Sequence, residues 1–340
     1  MLKLPRRVSG AVLARLRRRF YVREESEGVA FAIEQLLGLP AGEARRLAQS
    51  GSPRRLRLYG ACITRPAEKA LAGVRAIRPS SDLSPLCEEL GRHAAESYVL
   101  ALPLCHDAVL LLARLIGDGR RRFRVMSTQL SRAYLQPLAD ACGEGRFTFV
   151  SSGEMVMDNR LRAGGQAGPV TYVTFPDHQG TRGDTMWQVP FLGDLHRFST
   201  VEPLLFFRGL PLLFTLRAEE GGGLSLARYE RAAAPDAAPS EADVREALEW
   251  LARQIETVFR RSPSDLLSWE FAQERSSRLA SQITVMKLKT VEGYVRAWDA
   301  AGGLDPAAHD WAVAELRKLQ EATFNSAELA GSAARAAGGH

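Results

Sequence analysis

Two short stretches concentrate side chains able to move a proton or hold an anion. One is Leu104-Cys105-His106-Asp107; the other is Pro176-Asp177-His178-Gln179-Gly180-Thr181-Arg182-Gly183-Asp184. A histidine at the first turn of a helix feels the positive end of the helix dipole, which disfavours the imidazolium and leaves a neutral base. His106 stands in such a place, directly before an apolar run of helical length. In the second stretch Gly180 and Gly183 permit close approach of backbone to a ligand. The guanidinium of Arg182 offers a fork to a carboxylate or phosphate. Each stretch also has a plain reading: a hydrogen-bonded packing histidine for His106, an ordinary Gly-rich turn for the Asp177 loop.

These residues need a scaffold that delivers them to one place. From Ser97 onward, short runs rich in Val, Phe and Tyr predict strands over Tyr98–Leu104, Phe123–Ser127, Phe147–Ser151, Val170–Phe175, Leu210–Leu216 and Leu224–Tyr229. Helix-length segments alternate with them at Asp107–Ile116, Gln129–Ala141, Glu154–Arg162 and His196–Phe207. Such alternation is the mark of an α/β fold with a mostly parallel central sheet flanked by helices. In open α/β sheets ligands collect outside the carboxyl ends of the strands, where both His–Asp stretches would line one cleft.

Around this core the expected organisation is a basic arm over 1–25, a helical preface over 26–96, the α/β domain over 97–275, C-terminal helices over 276–330 and a disordered tail over 331–340. Toward the end of the α/β domain Glu241–Arg261 is a helix after the Ala- and Pro-rich loop 232–240, and beyond it come helical segments Leu266–Leu288, Val291–Ala300 and Pro306–Thr323. Trp269, Trp298 and Trp311 fit a packed core better than a binding cage.

Composition narrows the function. With 46% apolar and 25% charged residues the chain belongs with globular proteins rather than disordered or fibrous ones. Four dispersed cysteines, with no C-x-x-C pair, indicate neither a zinc ribbon nor a disulfide framework and point to a reducing, cytoplasmic compartment. Residues 1–19 hold seven Lys and Arg and no acid, so +6 for the whole chain less those seven leaves −1 for the body. A neutral body argues against a broad nucleic-acid groove. Val12, Leu13, Leu16 and Phe20 recur between the arginines at near-helical spacing. That pattern suits either a short basic amphipathic helix on the anionic inner face of a membrane or a frayed, solvated terminus. No secretory signal and no spanning helix is legible; the most apolar runs carry charges and prolines.

The stretch Gly168 to Gly180, with its apolar strand and Pro176-Asp177, followed by Val189-Pro190-Phe191-Leu192-Gly193, resembles the late lipid A biosynthesis acyltransferases of the lysophospholipid acyltransferase superfamily. Leu161-Arg162-Ala163-Gly164 and the closing segment Glu241–Arg261, Ser262-Pro263, Trp269 keep the order of features seen there. The resemblance spans about residues 26–275 and rests on ordered features, not on high identity. It implies transfer of a fatty or related acyl group from an acyl carrier protein or coenzyme A thioester to a hydroxyl or amine, with no resident cofactor and no metal. It also implies His106 as general base, within a His-x-x-x-x-Asp/Glu motif whose acid orients the ring. Here the acidic position is Leu111. Asp177 is the preferred substitute acid; Glu154 is another, and Asp107 is either spent as a helix cap or part of the substrate pocket. Arg132 stands nearest the family's basic residue after the second strand, and His178, Gly180, Arg182 and Phe191 would shape the substrate pocket. The family's N-terminal spanning helix has no counterpart, which favours a surface-bound or soluble chain and an acceptor other than lipid A.

Other chemistries are weaker. Cys105 and His106 are consecutive in an extended segment and point to opposite faces, which disfavours a thiol nucleophile. A serine hydrolase lacks its G-x-S-x-G elbow. Asp177, His178, Asp184, Asp194 and His196 have no metal-ligand spacing. A different class stands beside the enzyme: a catalytically degenerate acyltransferase fold that binds an acyl chain, a carrier protein or a partner, a reading favoured by Leu111.

Overall fold

The computed structural model describes the chain from Ser26 to Leu267, apart from residues 27–28, 64–66, 119–120, 128, 143–144, 163–168, 178–185, 219–223 and 232–238. It divides into two compact units, Met1–Leu56 with Ala272–His340, and Arg57–Phe271. In the first, residues 29–37 form helix α1, which ends where Gly38 adopts φ +65° and donates its N–H to Glu34 O. A left-handed glycine at this position is a common helix terminator. After Pro40 the chain enters α2, Ala41–Ile63, within which the division falls.

The second unit holds α3 (Ala67–Arg75), α4 (Ser84–Arg92), β1 (Tyr98–Ala101), α5 (His106–Leu115), β2 (Arg122–Met126), α6 (Gln129–Ala141), β3 (Phe147–Val150), α7 (Ser152–Arg162) and β4 (Val170–Thr174). It continues with β5 (Met186–Phe191), β6 (Asp194–Ser199), α8 (Val201–Phe206), β7 (Leu212–Ala218), β8 (Leu224–Arg228) and α9 (Glu241–Arg261). Six strands make one sheet in the order β3-β2-β4-β1-β7-β8, parallel except for β8, which runs antiparallel to β7. This is the α/β fold expected from the strand and helix alternation. β1 and β4 lie at its centre and are buried at every residue, as the unbroken apolar runs of covered parallel strands require. α5 is buried along its whole length except at Arg114, so it is a core helix apolar on all sides.

The compact unit that holds the sheet begins at Arg57, because α3 packs on α5 and α6, and α4 packs on α5 and β8. One expectation needs correction. Residues 196–207 are not one helix: Asp194–Ser199 is a strand paired antiparallel with Met186–Phe191, and only Val201–Phe206 is helical. The alternation of exposed Leu195 and Arg197 with buried His196 and Phe198 is the period of a half-buried strand. The two-residue connection Leu192-Gly193 has φ of 53° and 80°, the positive values at both central positions that a type I′ hairpin turn demands. The C-terminal helices, the basic arm and the tail lie outside the described residues.

Candidate active site

β1 and β4 are parallel neighbours in register from Tyr98↔Thr171 to Ala101↔Thr174, so both chains emerge side by side at one sheet edge. From there they run opposite ways, β1 to β2 beyond β4, and β4, by way of the β5–β6 hairpin and α8, to β7 beyond β1. Connections that part like this leave a crevice at the carboxyl ends of the strands. His106 and Asp107 open α5 after β1, and Asp177 follows β4 at the same edge.

The carboxylate that meets the His106 ring is that of Asp107, with Oδ1 3.1 Å from Nδ1. Asp107 does not cap its own helix. Its Oδ1 accepts the Ser80 N–H at 2.8 Å and its Oδ2 accepts the Ser81 N–H at 3.1 Å. Because Oδ1 already accepts from Ser80, Nδ1 is the partner that donates, which leaves the lone pair on Nε2. Nε2 is buried with no hydrogen-bond partner among the described residues. A buried polar atom left unmatched costs about 1–3 kcal/mol and calls for an explanation.

Asp177 therefore holds a different post from the one expected. It is fully buried and both its oxygens accept the Leu104 N–H, at 2.9 and 2.8 Å, which ties the end of β4 to the end of β1 just ahead of His106. Glu154 is occupied too, since its Oε2 accepts from Ser151 N and Oγ while Ser151 Oγ accepts from Glu154 N, a capping box at the start of α7. Leu111 is sealed in the core.

Arg132 sits past the end of β2, where its Nε donates to Ser127 Oγ at 2.6 Å and its guanidinium lies 5.1 Å from the Phe149 ring centroid. β4 stands between β2 and β1, so Arg132 belongs to the same edge but about two strand spacings, roughly 10 Å, from the dyad. Phe191 is packed edge-on against His196, Phe198 and Phe259, inside the contact between the hairpin and α9. His178, Gly180 and Arg182 lie outside the described residues.

The His106 side chain has zero solvent exposure, so the cleft expected to be lined by the His–Asp stretches does not open onto this ring. A small recess adjoins the dyad on the Asp107 side; its lining includes the polar Ser81, Asp107, Arg261 and Asp265 and the apolar Leu216, Leu224 and Val258. Leu216 has φ 64°, a left-handed value at a non-glycine residue, beside the register shift between β7 and β8. Cys105 also borders this recess, and burial, reinforced by the charge of Asp107, pushes its thiol well above the ordinary range. It stays protonated at neutral pH and is no nucleophile. No three His, Cys, Asp or Glu side chains among the described residues converge as metal ligands would.

No family model matches the chain, and no curated protein matches it. Three residues that brace the site, Ser80, Ser81 and Asp265, carry no signal in the sequence that marks them for it. The punctuation Pro79-Ser80-Ser81-Asp82 signals a turn with free amides, but nothing in it names Asp107 as their acceptor.

Proposed function

We propose that the chain is an acyltransferase that moves an acyl group from an acyl carrier protein or coenzyme A thioester to a hydroxyl or amine. The observation that carries this reading is the His106–Asp107 pair, in which a clamped carboxylate holds Nδ1 and leaves Nε2 unpartnered. Nε2 takes the proton as the acceptor's oxygen or nitrogen attacks the thioester carbonyl. The tetrahedral intermediate then expels the thiolate, which recovers that proton from the imidazolium. Asp107 supplies the orientation and charge compensation that Leu111 cannot. Because the ring is covered, catalysis requires the covering chain to part for substrate, a gating step common in enzymes that exclude water.

The zero exposure of the same ring favours a second reading, an acyl-chain or carrier-protein binding module without turnover. Acyl transfer from carrier-protein and coenzyme A thioesters to hydroxyl and amine acceptors separates the two. Catalysis predicts turnover by the wild type and background rates for His106→Ala. Absence of turnover with every donor, alongside an acyl chain found by mass spectrometry on the purified protein, selects the binding module. Within the acyltransferase reading the basic arm would hold the chain at an anionic membrane surface; among the described residues no helix is long and apolar enough to cross a membrane.

A further inference from the structure

The Asp107 carboxylate is braced from outside its own helix, and the brace has a second stage. Ser80, whose amide holds Asp107 Oδ1, donates its hydroxyl to Asp265 Oδ2 at 2.7 Å. Asp265 is buried and ends the single 3-10 turn Pro263–Asp265 that follows α9. The next residues grip the backbone just ahead of the histidine: Leu266 forms an antiparallel bridge with Cys105, and Leu267 N–H donates to Leu104 O at 2.9 Å. One short segment therefore fixes both the backbone that leads into His106 and the loop behind Asp107.

We propose that Ser80 and Asp265 are positioning residues for His106, acting through Asp107 to set the tautomer and aim of the ring. The inference rests on the reading of His106 as a general base. The physical ground is that a carboxylate orients an imidazole only as well as the carboxylate is itself held. Oδ1 is shared between Nδ1 and the Ser80 amide, so any drift of Ser80 moves the acceptor that Nδ1 needs. The hydroxyl bond to Asp265 is charge-assisted, and it is the contact that ties this loop to the end of α9.

Imidazole nitrogen NMR on the full-length, 15N-histidine-labelled chain reads the tautomer directly; His106 is assigned among the six histidines by its loss in His106→Gln. Ser80 is exposed, so Ser80→Ala is expected to fold like the wild type, which circular dichroism verifies. The wild type should show His106 protonated at Nδ1. Ser80→Ala and Asp265→Asn should shift it toward a tautomer mixture, and Ser80→Thr, which keeps the hydroxyl, should restore it. Where acyl transfer is measured, Ser80→Ala should lower kcat about 10-fold with KM unchanged. A His106 spectrum unmoved by Ser80→Ala overturns the positioning role even if acylation is seen. A shifted spectrum in a chain that acylates nothing upholds the positioning role and overturns the acyltransferase reading.

Discussion

Asp107 and Asp177 are both buried carboxylates at one sheet edge, yet they hold different partners, and substitution should separate their roles. Asp107→Asn replaces an acceptor of the Nδ1 proton with an amide that can present N–H to the ring and favour the wrong tautomer. Under the proposed acyltransferase function it is expected to cut kcat by as much as about 10⁴-fold, read in steady-state kinetics. Asp177→Ala instead orphans the Leu104 amide in the core and should cost about 1–3 kcal/mol of stability, seen as a lower urea midpoint at constant slope. The reverse pattern, activity lost with Asp177 and stability with Asp107, would contradict the assignment. His106 and the Asp177 loop are legible in the sequence because each ends an apolar strand. The acid that serves the ring is not, because that choice is made by Ser80 and Ser81, some 26 residues upstream in the chain, through a contact with no local signature.

At the scale of elements, α9 and the β5–β6 hairpin show what local rules do and do not convey. Glu241–Arg261 is legible to its ends, because Ser240 accepts the Asp243 N–H while Asp243 accepts from the Ser240 N–H and hydroxyl. Ser240→Ala should destabilise the protein by about 1 kcal/mol at neutral pH. Asp243 is held down to about 2, first by the Ser240 amide, then by the Ser240 hydroxyl and Arg231. A carboxyl lowered in the folded state contributes stability that is complete above its unfolded value and fades as the pH falls toward the folded one. The gap between wild type and Ser240→Ala in urea unfolding should therefore narrow between about pH 4 and pH 2. The hairpin is harder to read, because the period-2 run that continues Val189-Pro190-Phe191-Leu192-Gly193 through Phe198 is short and merges with the apolar start of α8, so the two together mimic a single helix. Gly193 has φ 80°, and a Cβ added there would meet nothing within 4 Å. Gly193→Ala thus isolates backbone strain from steric clash and should cost about 1–2 kcal/mol in the same measurement.

For the molecule as a whole, the proposed function depends on how a covered ring would meet a substrate. The six strands are readable from composition and spacing because a covered parallel sheet needs continuous apolar runs; what covers the crevice depends on loops whose packing such runs do not encode. Cys105 precedes His106 and Cys62 lies elsewhere in the fold; both are buried, and burial pushes Cys62 up to about 12 and Cys105 well up too. Half-buried Cys87 and Cys142 should alkylate first at about pH 8, with mass spectrometry following each site. If the crevice opens locally, Cys105 should react ahead of Cys62; equal rates would mean that only global unfolding uncovers His106, which counts against turnover.

The grip of Leu266 and Leu267 on the Leu104–Cys105 backbone has a consequence for biosynthesis. A polypeptide leaving the ribosome presents its histidine early and the clasp that steadies it much later. A nascent or truncated product that stops short of Leu267 would thus carry an unsteadied imidazole, and under the proposed function its chemistry would wait until the rest of the polypeptide has arrived.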